Sequence, residues 1–258
     1  DPKVRATVNK AAGILVLDAT VDPTEVERLF GIKPVVVQSN EPERLPTILQ
    51  VPVGVLSHRA RPERQRYSLW LALQVIRALQ AKGHLPAKVR LGVLTHKSAA
   101  PLAQQIFKDA VVGWWGRDER ATNTFYEAGV NVLVCIGLPH RNIGHVAAEK
   151  LRAGTRERAL RKARMDEEGG WWTVLREFAD PELAQAVRRE VVTAYRQAAG
   201  RLRQGRRRDP CYVVVLDAEP LTPLPAKVLC PEAILPQEVL EDWKRRQQRG
   251  LATVNALR

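Results

Sequence analysis

Short apolar runs rich in valine, isoleucine and leucine alternate along this chain with longer amphipathic segments. Such alternation is typical of a parallel sheet covered by helices. We therefore expect an α/β fold with a parallel sheet flanked by helices. The apolar runs predict seven buried strands: Gly13–Leu17, Pro34–Gln38, Ile48–Leu56, Val89–Leu94, Val111–Trp115, Val130–Gly137 and Tyr212–Leu216.

The amphipathic segments predict the helices. Asp22 can cap a helix that runs through Phe30, and the stretch Arg64–Lys82 carries leucine and isoleucine at helical spacing. A further helix is expected over Pro236–Arg249, ending at Gly250. A helix-turn-helix starting there is an alternative, although the chain end would cut off its second helix.

A basic insertion is expected before the strand Tyr212–Leu216. From residue 142 to 203 the sequence reads as almost wholly helical, with breaks at Gly169-Gly170 and Asp180-Pro181. We expect residues 1–220 to form one domain that contains a helical insertion at about 142–196. Residues 221–258 are expected to form a C-terminal helical extension.

More than half of the positive excess lies in residues 141–208, which include this insertion and the arginines after it. The chain of 258 residues carries 41 basic and 28 acidic side chains, a net charge of +13. Residues 141–208 alone hold 17 basic and 9 acidic side chains. Such a concentration can attract a polyphosphate backbone whatever its base sequence, although solvated arginine-rich helix faces would give the same composition.

The rest of the composition narrows the class of protein. Hydrophobic residues make up 45% of the chain, enough for a sizeable core, so a disordered basic tail is excluded. No apolar run is long enough to cross a membrane and no signal peptide is visible, so a cytoplasmic location is expected. The cysteines Cys135, Cys211 and Cys230 are far apart, and no disulfide or metal site is expected.

Polar residues follow two of the predicted strands. Thr20 follows the run GILVLDA, and Thr95, His96 and Lys97 follow VRLGVL. In open α/β sheets ligands bind at the carboxyl ends of strands, and a hydroxyl and a lysine before a helix can hold phosphate. The alternative in both places is an ordinary capped turn.

Two further stretches carry candidate chemistry. Arg120, Thr122 and Asn123 precede an apolar strand, and the neighbouring Trp114-Trp115 could either stack on bases or pack in the core. The basic region ends in a glutamine, a glycine and several closely spaced arginines. These residues are Gln197, Gly200, Arg201, Arg203 and Arg206. A guanidinium stays charged and offers a fixed fork of donors, which suits the stabilisation of a transferring phosphoryl group.

These stretches resemble motifs of superfamily 2 helicases. QAAGRLRQGRR is similar to motif VI, particularly the form seen in the iron–sulfur-type and phage or plasmid-type branches. LDAT at 17–20 resembles motif III, LTHK at 94–97 the end of the motif IV strand, and GRDERATN at 116–123 motif V. All four occur in the family's order across residues 13–217.

The resemblance implies the C-terminal RecA-like lobe of an ATP-dependent helicase or translocase. In that family ATP and Mg²⁺ bind between two lobes, and the second lobe supplies arginines. The resemblance would make Arg201 an arginine finger, with Gln197 linking nucleotide to the interface, and Gly200 and Asn123 near the nucleotide. Thr20 would couple hydrolysis to movement.

The remaining matched positions would face nucleic acid, DNA or RNA, in its single-stranded form. They are Thr95, His96, Lys97, Arg120 and Thr122.

The sequence departs from the family at several positions, including Ala121, where motif V often has glycine. Gln204 stands where motif VI has its second arginine, so Arg203 or Arg206 would have to serve. The chain also has no Gly-x-x-x-x-Gly-Lys-Ser/Thr loop, the element that cradles phosphates. We therefore expect a fragment of a longer enzyme, without ATPase activity of its own, that works with an N-terminal RecA-like lobe.

Two alternatives from other classes stay open. The chain could be a non-catalytic nucleic-acid-binding scaffold on a degenerate RecA-like fold, in which the arginines only hold DNA or RNA. A small-molecule α/β enzyme is disfavoured, because the first strand lacks a following Gly-x-Gly-x-x-Gly and no nucleophile–base pair stands out.

Overall fold

A computed structural model describes most of the chain after residue 43. The described residues are 26–27, 31, 33–35, 44–54, 60–119, 123–137, 160–166, 171–177 and 181–256. The chain divides into two compact units, Asp1–Glu43 and Arg44–Arg258. The predicted strand Gly13–Leu17 lies outside the described residues, and of the predicted helix Asp22–Phe30 only residues 26–27 are described, as helical.

The second unit contains eight described strands and six described helices, with a short 3₁₀ turn at Gln204–Arg206. The strands are β1 (Thr47–Gln50), β2 (Leu91–Thr95), β3 (Val111–Trp114), β4 (Val132–Ile136), β5 (Leu160–Asp166), β6 (Trp171–Glu177), β7 (Tyr212–Leu216) and β8 (Ala226–Val228). The helices are α1 (Pro62–Ala81), α2 (Ala100–Ile106), α3 (Thr124–Glu127), α4 (Pro181–Gly200), α5 (Pro231–Ile234) and α6 (Gln237–Ala256).

Six of these strands form one sheet in the order β3-β2-β4-β7-β1-β8, and every neighbouring pair is parallel. The predicted α/β class is therefore confirmed, and a parallel sheet flanked by helices is consistent with a RecA-like fold. β4 and β7 lie at the centre and are almost wholly buried, as expected for strands covered on both faces.

Helices cover both faces of the sheet. On one face α1, α2, α5 and α6 pack against a core that contains Val93, Val134 and Val214. On the other face α3 and α4 pack against Leu133 and Val213. Neighbouring residues of one strand thus enter opposite cores, because side chains alternate across a strand.

Strand boundaries differ from the sequence prediction where proline or glycine intervenes. The run Ile48–Leu56 forms a strand only as far as Gln50, and Pro52 and Gly54 follow. Proline lacks the amide N–H that a sheet needs, and Gly54 has a φ of 124°. In the predicted strand Pro34–Gln38, residues 34 and 35 are not in a strand and residues 36–38 lie outside the described residues.

The prediction of an almost wholly helical insertion is wrong over residues 160–166 and 171–177, which are strands. β5 and β6 form an antiparallel pair in which Asp166 lies opposite Trp171, and the predicted break at Gly169-Gly170 lies outside the described residues. Trp171–Val174 is rich in aromatic and β-branched residues, which favour strands over helices. Helix α4 then begins at Pro181, so the predicted break at Asp180-Pro181 coincides with a helix start.

The C-terminal segment contributes more than a helical extension. β8 pairs with β1 at the edge of the main sheet, and Val239, Leu240 and Trp243 of α6 belong to the same core as α1. Helix α6 also continues through Gly250, where the sequence predicted its end. No helix in the described ranges combines the length and apolar character needed to cross a membrane.

Candidate functional site

The loop after β3 is a tight turn held by two buried carboxylates. Asp118 Oδ2 accepts a 2.8 Å hydrogen bond from the Trp114 amide, and the Glu119 carboxylate accepts two, of 2.7 and 2.9 Å, from the Gly116 amide. Asp118 is 1% exposed and Glu119 2%. The loop is also joined to the end of β2, since the Trp115 amide donates to the Thr95 carbonyl over 2.9 Å.

The two tryptophans of this loop are both in contact with other side chains. The Arg117 guanidinium lies 3.3 Å from the centre of the Trp114 ring and forms a 2.8 Å ion pair with Asp118. Trp115 meets the ring of Tyr195 edge-on, with 5.5 Å between ring centres. These contacts favour the packing alternative for Trp115. They give no support to the alternative in which the two tryptophans stack on bases.

Helix α4 is followed by residues 201–208, which we call the arginine turn. Arg201 Nε donates a 2.9 Å hydrogen bond to the carbonyl oxygen of Glu119, 82 residues earlier in the chain. Arg203 donates over 3.1 Å to Asn123 Oδ1, 80 residues earlier. The fold therefore brings together the segment 116–123 and the arginine-rich segment, which the sequence analysis selected separately.

Gln204 has a structural part in the arginine turn. Its Oε1 accepts a hydrogen bond from the Cys211 amide, and its Nε2 donates to the Asp209 carbonyl over 3.2 Å. Both bonds hold the turn against the start of β7. A neutral amide that can both donate and accept makes these bonds, whereas an arginine could only donate.

The other arginines of the turn differ in their surroundings. Arg207 donates to the Tyr126 carbonyl over 3.0 Å and lies 4.9 Å from the centre of that ring. Arg206 and Arg208 are exposed. Arg203 has a left-handed backbone, with φ 52° and ψ 45°, a conformation that favours glycine.

The environment of Arg201 favours an anionic ligand. The residue is half-buried, and burial, followed by the nearby Arg203 charge, lowers its pKa, while the Glu119 carboxylate opposes that change. Its terminal guanidinium nitrogens make no hydrogen bond to any described residue. A guanidinium held by its Nε leaves terminal N–H groups that can donate hydrogen bonds to phosphate oxygens.

The residues at the end of β2 divide between the interior and the surface. Thr95 is 0% exposed and His96 6%, whereas Lys97 is exposed. Thr95 Oγ1 has no hydrogen-bond partner among the described residues. The helix that follows these residues, α2, begins at Ala100 and is only seven residues long.

The structure describes half of the other predicted site residues. Gln197 and Gly200 lie in the last turn of α4, and Asn123 directly precedes α3. A Cβ placed on Gly200 would meet no heavy atom within 4 Å. The predicted residues Thr20, Arg120 and Thr122 lie outside the described residues.

Sequence reasoning missed a buried polar cluster at the carboxyl end of β7. Tyr195 Oη donates to Asp217 Oδ2 over 3.0 Å, and the Glu219 amide donates to Asp217 Oδ1 over 3.1 Å. Gln50 Nε2 donates to the carbonyls of Asp217 and Glu219 over 2.7 and 2.8 Å. An aspartate directly after the apolar run YVVVL was the available signal.

Burial dominates the electrostatics of this cluster. It raises the pKa of Asp217 to about 7, and the hydrogen bonds from the Glu219 amide and Tyr195 reduce the rise. Burial also raises the pKa of Tyr195, and the Asp217 charge adds to that change. No group of three or more histidine, cysteine, aspartate or glutamate side chains in the described ranges is arranged to hold a metal ion.

Comparison with known proteins adds no relative. No protein-family model, no curated protein and no solved structure matches this chain.

Proposed function

We propose that this chain is the arginine-bearing motor lobe of a nucleic-acid-dependent ATPase of the helicase or translocase type. The observation that carries the proposal is the contact of Arg201 with Glu119, together with that of Arg203 with Asn123. These contacts join the two segments that resemble motifs V and VI, so the residues that the resemblance assigns to the nucleotide lie close together. A cytoplasmic location is part of the proposal.

The chemistry assigned to this lobe is charge stabilisation. Arg201 would direct its free guanidinium nitrogens at the phosphate oxygens of ATP bound mainly by a first lobe. An arginine finger of this kind contributes about 10³–10⁵ in rate. The sequence has no phosphate-binding loop, so the first lobe would supply that loop and the acidic residues that hold Mg²⁺.

Arg203 is the better candidate for the second arginine of the site. Gln204 is engaged in holding the arginine turn to β7, and Arg206 is exposed without a hydrogen bond from its side chain to a described residue. Arg203 lies beside Asn123, the last residue of the segment that resembles motif V. We propose that Arg201 and Arg203 act as the pair.

The nucleic acid would lie along the basic surface of this lobe. Under the proposal Lys97, Arg120 and Thr122 contact the backbone of a single strand, whereas Thr95 and His96 are buried and would support that surface from beneath. Contacts from lysine, arginine and threonine to phosphate position a protein without reading base sequence.

The test uses the protein in which this chain works together with a first lobe that carries the phosphate-binding loop. Its ATPase activity is measured with and without single-stranded DNA or RNA. Arg201→Ala is expected to lower stimulated turnover by at least about 10³-fold, with nucleic-acid affinity nearly unchanged. Arg201→Lys should recover little, because lysine lacks the donor fork. Arg208→Ala, on the exposed side of the same turn, is the matched control.

A non-catalytic nucleic-acid-binding scaffold is the second candidate. Arg203 and Arg207 are already bonded to Asn123 and Tyr126, a condition that favours arginines with a structural or binding part. For a scaffold, Arg201→Ala would leave any ATPase unchanged and would weaken nucleic-acid binding together with its salt dependence. That result would overturn the motor proposal.

A further inference from the structure

We propose that the surface formed by α1 and α6 around Trp70 is a stacking platform for a base of single-stranded nucleic acid. The inference takes its class of ligand from the proposed function, but it rests on different residues. Trp70 lies on the face of the sheet covered by α1 and α6, whereas the arginine turn follows α4 on the other face. The platform is thus a second contact surface.

Trp70 is an aromatic side chain presented to solvent between cations. It is 36% exposed, although most large apolar side chains of α1 are buried. Arg66 and Arg77, four residues before it and seven after it, are exposed as well. Residues spaced by four and seven share one face of a helix, so the three side chains form a row along α1.

Side chains of α1 and α6 contact one another next to Trp70. The rings of Trp70 and Tyr67 lie 5.5 Å apart between centres and are tilted by 30°. The Arg246 guanidinium of α6 lies 4.1 Å from the centre of the Tyr67 ring and bonds to Asp242 over 2.9 Å. Trp243, 3% exposed, anchors α6 through a hydrogen bond from its Nε1 to the Val53 carbonyl.

The rigidity of this stack matters for binding. Tyr67 contacts both the Trp70 ring and the Arg246 guanidinium, so Trp70 packs against a side chain that has a second partner and has less conformational freedom before a ligand binds. A fixed aromatic surface that is ready before binding loses less side-chain entropy. If Trp70 were only a core residue left partly exposed, the contact of Tyr67 with Arg246 would bring it no functional benefit.

The charge around Trp70 favours a polyanion. Residues 61–82 contain five basic side chains and one acidic side chain. The neighbouring stretch of α6 adds Lys244, Arg245 and Arg246, of which Lys244 is paired with Glu232 and Arg246 with Asp242. Aromatic rings combined with arginine and lysine bind single strands without sequence preference, since every base has a face that can stack and every linkage carries a charge.

The experiment is titration of the chain against a fluorescein-labelled oligothymidylate, followed by anisotropy over a range of salt concentrations and without nucleotide. Trp70→Ala is expected to weaken binding about tenfold while the dependence on salt stays the same, because stacking releases no counterions. Trp70→Phe should restore most of the affinity.

Two arginine variants and one control complete the design. Arg66→Ala and Arg77→Ala should weaken binding and reduce the slope of log affinity against log salt by about 0.7 each. Val228→Ala removes another exposed apolar side chain, 63% exposed on β8, and is expected to change nothing. Thermal unfolding of each variant verifies that the fold is intact.

The platform is overturned if Trp70→Ala binds like the wild type, or if Trp70→Phe loses as much affinity as Trp70→Ala. A change in oligomeric state for Trp70→Ala in sedimentation would assign the patch to self-association and overturn it as well. The two proposals fail separately. Loss of the Trp70 effect leaves the Arg201 ATPase test untouched, and an inert Arg201→Ala leaves the nucleotide-free binding result standing.

Discussion

Tyr195 donates a 3.0 Å hydrogen bond to Asp217, and both side chains are almost fully buried, at 1% and 0% exposure. The bond ties helix α4 to the carboxyl end of β7, at the centre of the sheet. The Asp217 carboxyl group is buried, and burial disfavours its ionised form. The stability of the fold therefore depends on pH.

The first prediction is that Asp217→Asn removes a component of this pH dependence. The pKa of Asp217 is about 7 in the folded chain, above its ordinary value of 3.8. Between these values the folded chain keeps a proton that the unfolded chain has lost, so this group's contribution is full below the lower value and decreases as the pH rises towards 7. Urea unfolding across this range should show a flatter profile for Asp217→Asn.

Tyr195→Phe is the companion variant for that measurement. The hydrogen bond from Tyr195 holds the pKa of Asp217 down, so its removal should raise that pKa and extend the decline in stability to higher pH. If the Asp217→Asn profile keeps the slope of the wild type, another group is responsible for it.

The second prediction concerns Gly92 in β2. A Cβ there would lie 2.8 Å from Val130 Cγ1, 3.0 Å from Phe125 Cδ1 and 3.1 Å from Leu133 Cδ1, all in the core under α3. Gly92→Ala is therefore expected to lower the free energy of unfolding by about 1–3 kcal/mol, as overpacking does. Chemical denaturation measures it, and an unchanged midpoint would mean that the core relaxes freely around the added methyl group.

The third prediction separates folding from function at Gly200. The space around this residue is open in the described structure, so Gly200→Ala should leave stability unchanged or raise it by up to about 1 kcal/mol. Under the proposed function the glycine allows the other lobe or the nucleotide to approach closely, so ATPase activity should decrease. If the Gly200→Ala protein is stable and fully active, Gly200 is not part of the proposed site.

The fourth prediction concerns the backbone of Arg203. Because its φ of 52° favours glycine, Arg203→Gly should be neutral for folding or stabilising by up to about 1 kcal/mol. Arg206→Gly, where φ is not positive, should destabilise instead. Thermal unfolding compares the two variants. Reduced ATPase in a stable Arg203→Gly protein would support its assignment as the second arginine, and strong destabilisation would assign it to folding alone.

The central strands were accessible from sequence because each is a continuous apolar run. β7 has the predicted bounds Tyr212–Leu216, and β3 ends one residue early. β8 was missed, since it has only three residues, of which Lys227 and Val228 are exposed, and an edge strand needs no apolar run. The β5–β6 pair was missed because the whole basic segment was interpreted as almost wholly helical.

The candidate site was accessible only as separate pieces. The sequence indicated which arginines could bind phosphate, but Arg201 and Glu119 are 82 residues apart, and no periodicity connects them. The burial of Asp217 also depends on distant partners, since Gln50 stands 167 residues before it, whereas Gln204 holds the turn through residues only five and seven positions away.

The sequence by itself determined the class of fold, because burial on both faces of a parallel sheet demands strands that are apolar at every position. It also determined the chemistry on offer, since arginine carries its charge and donor geometry wherever it stands. The tertiary structure decided which of these side chains meet. Contacts such as Tyr195 with Asp217, or Tyr67 of α1 with Arg246 of α6, follow from the way the helices pack on the sheet and on one another, which no local pattern specifies.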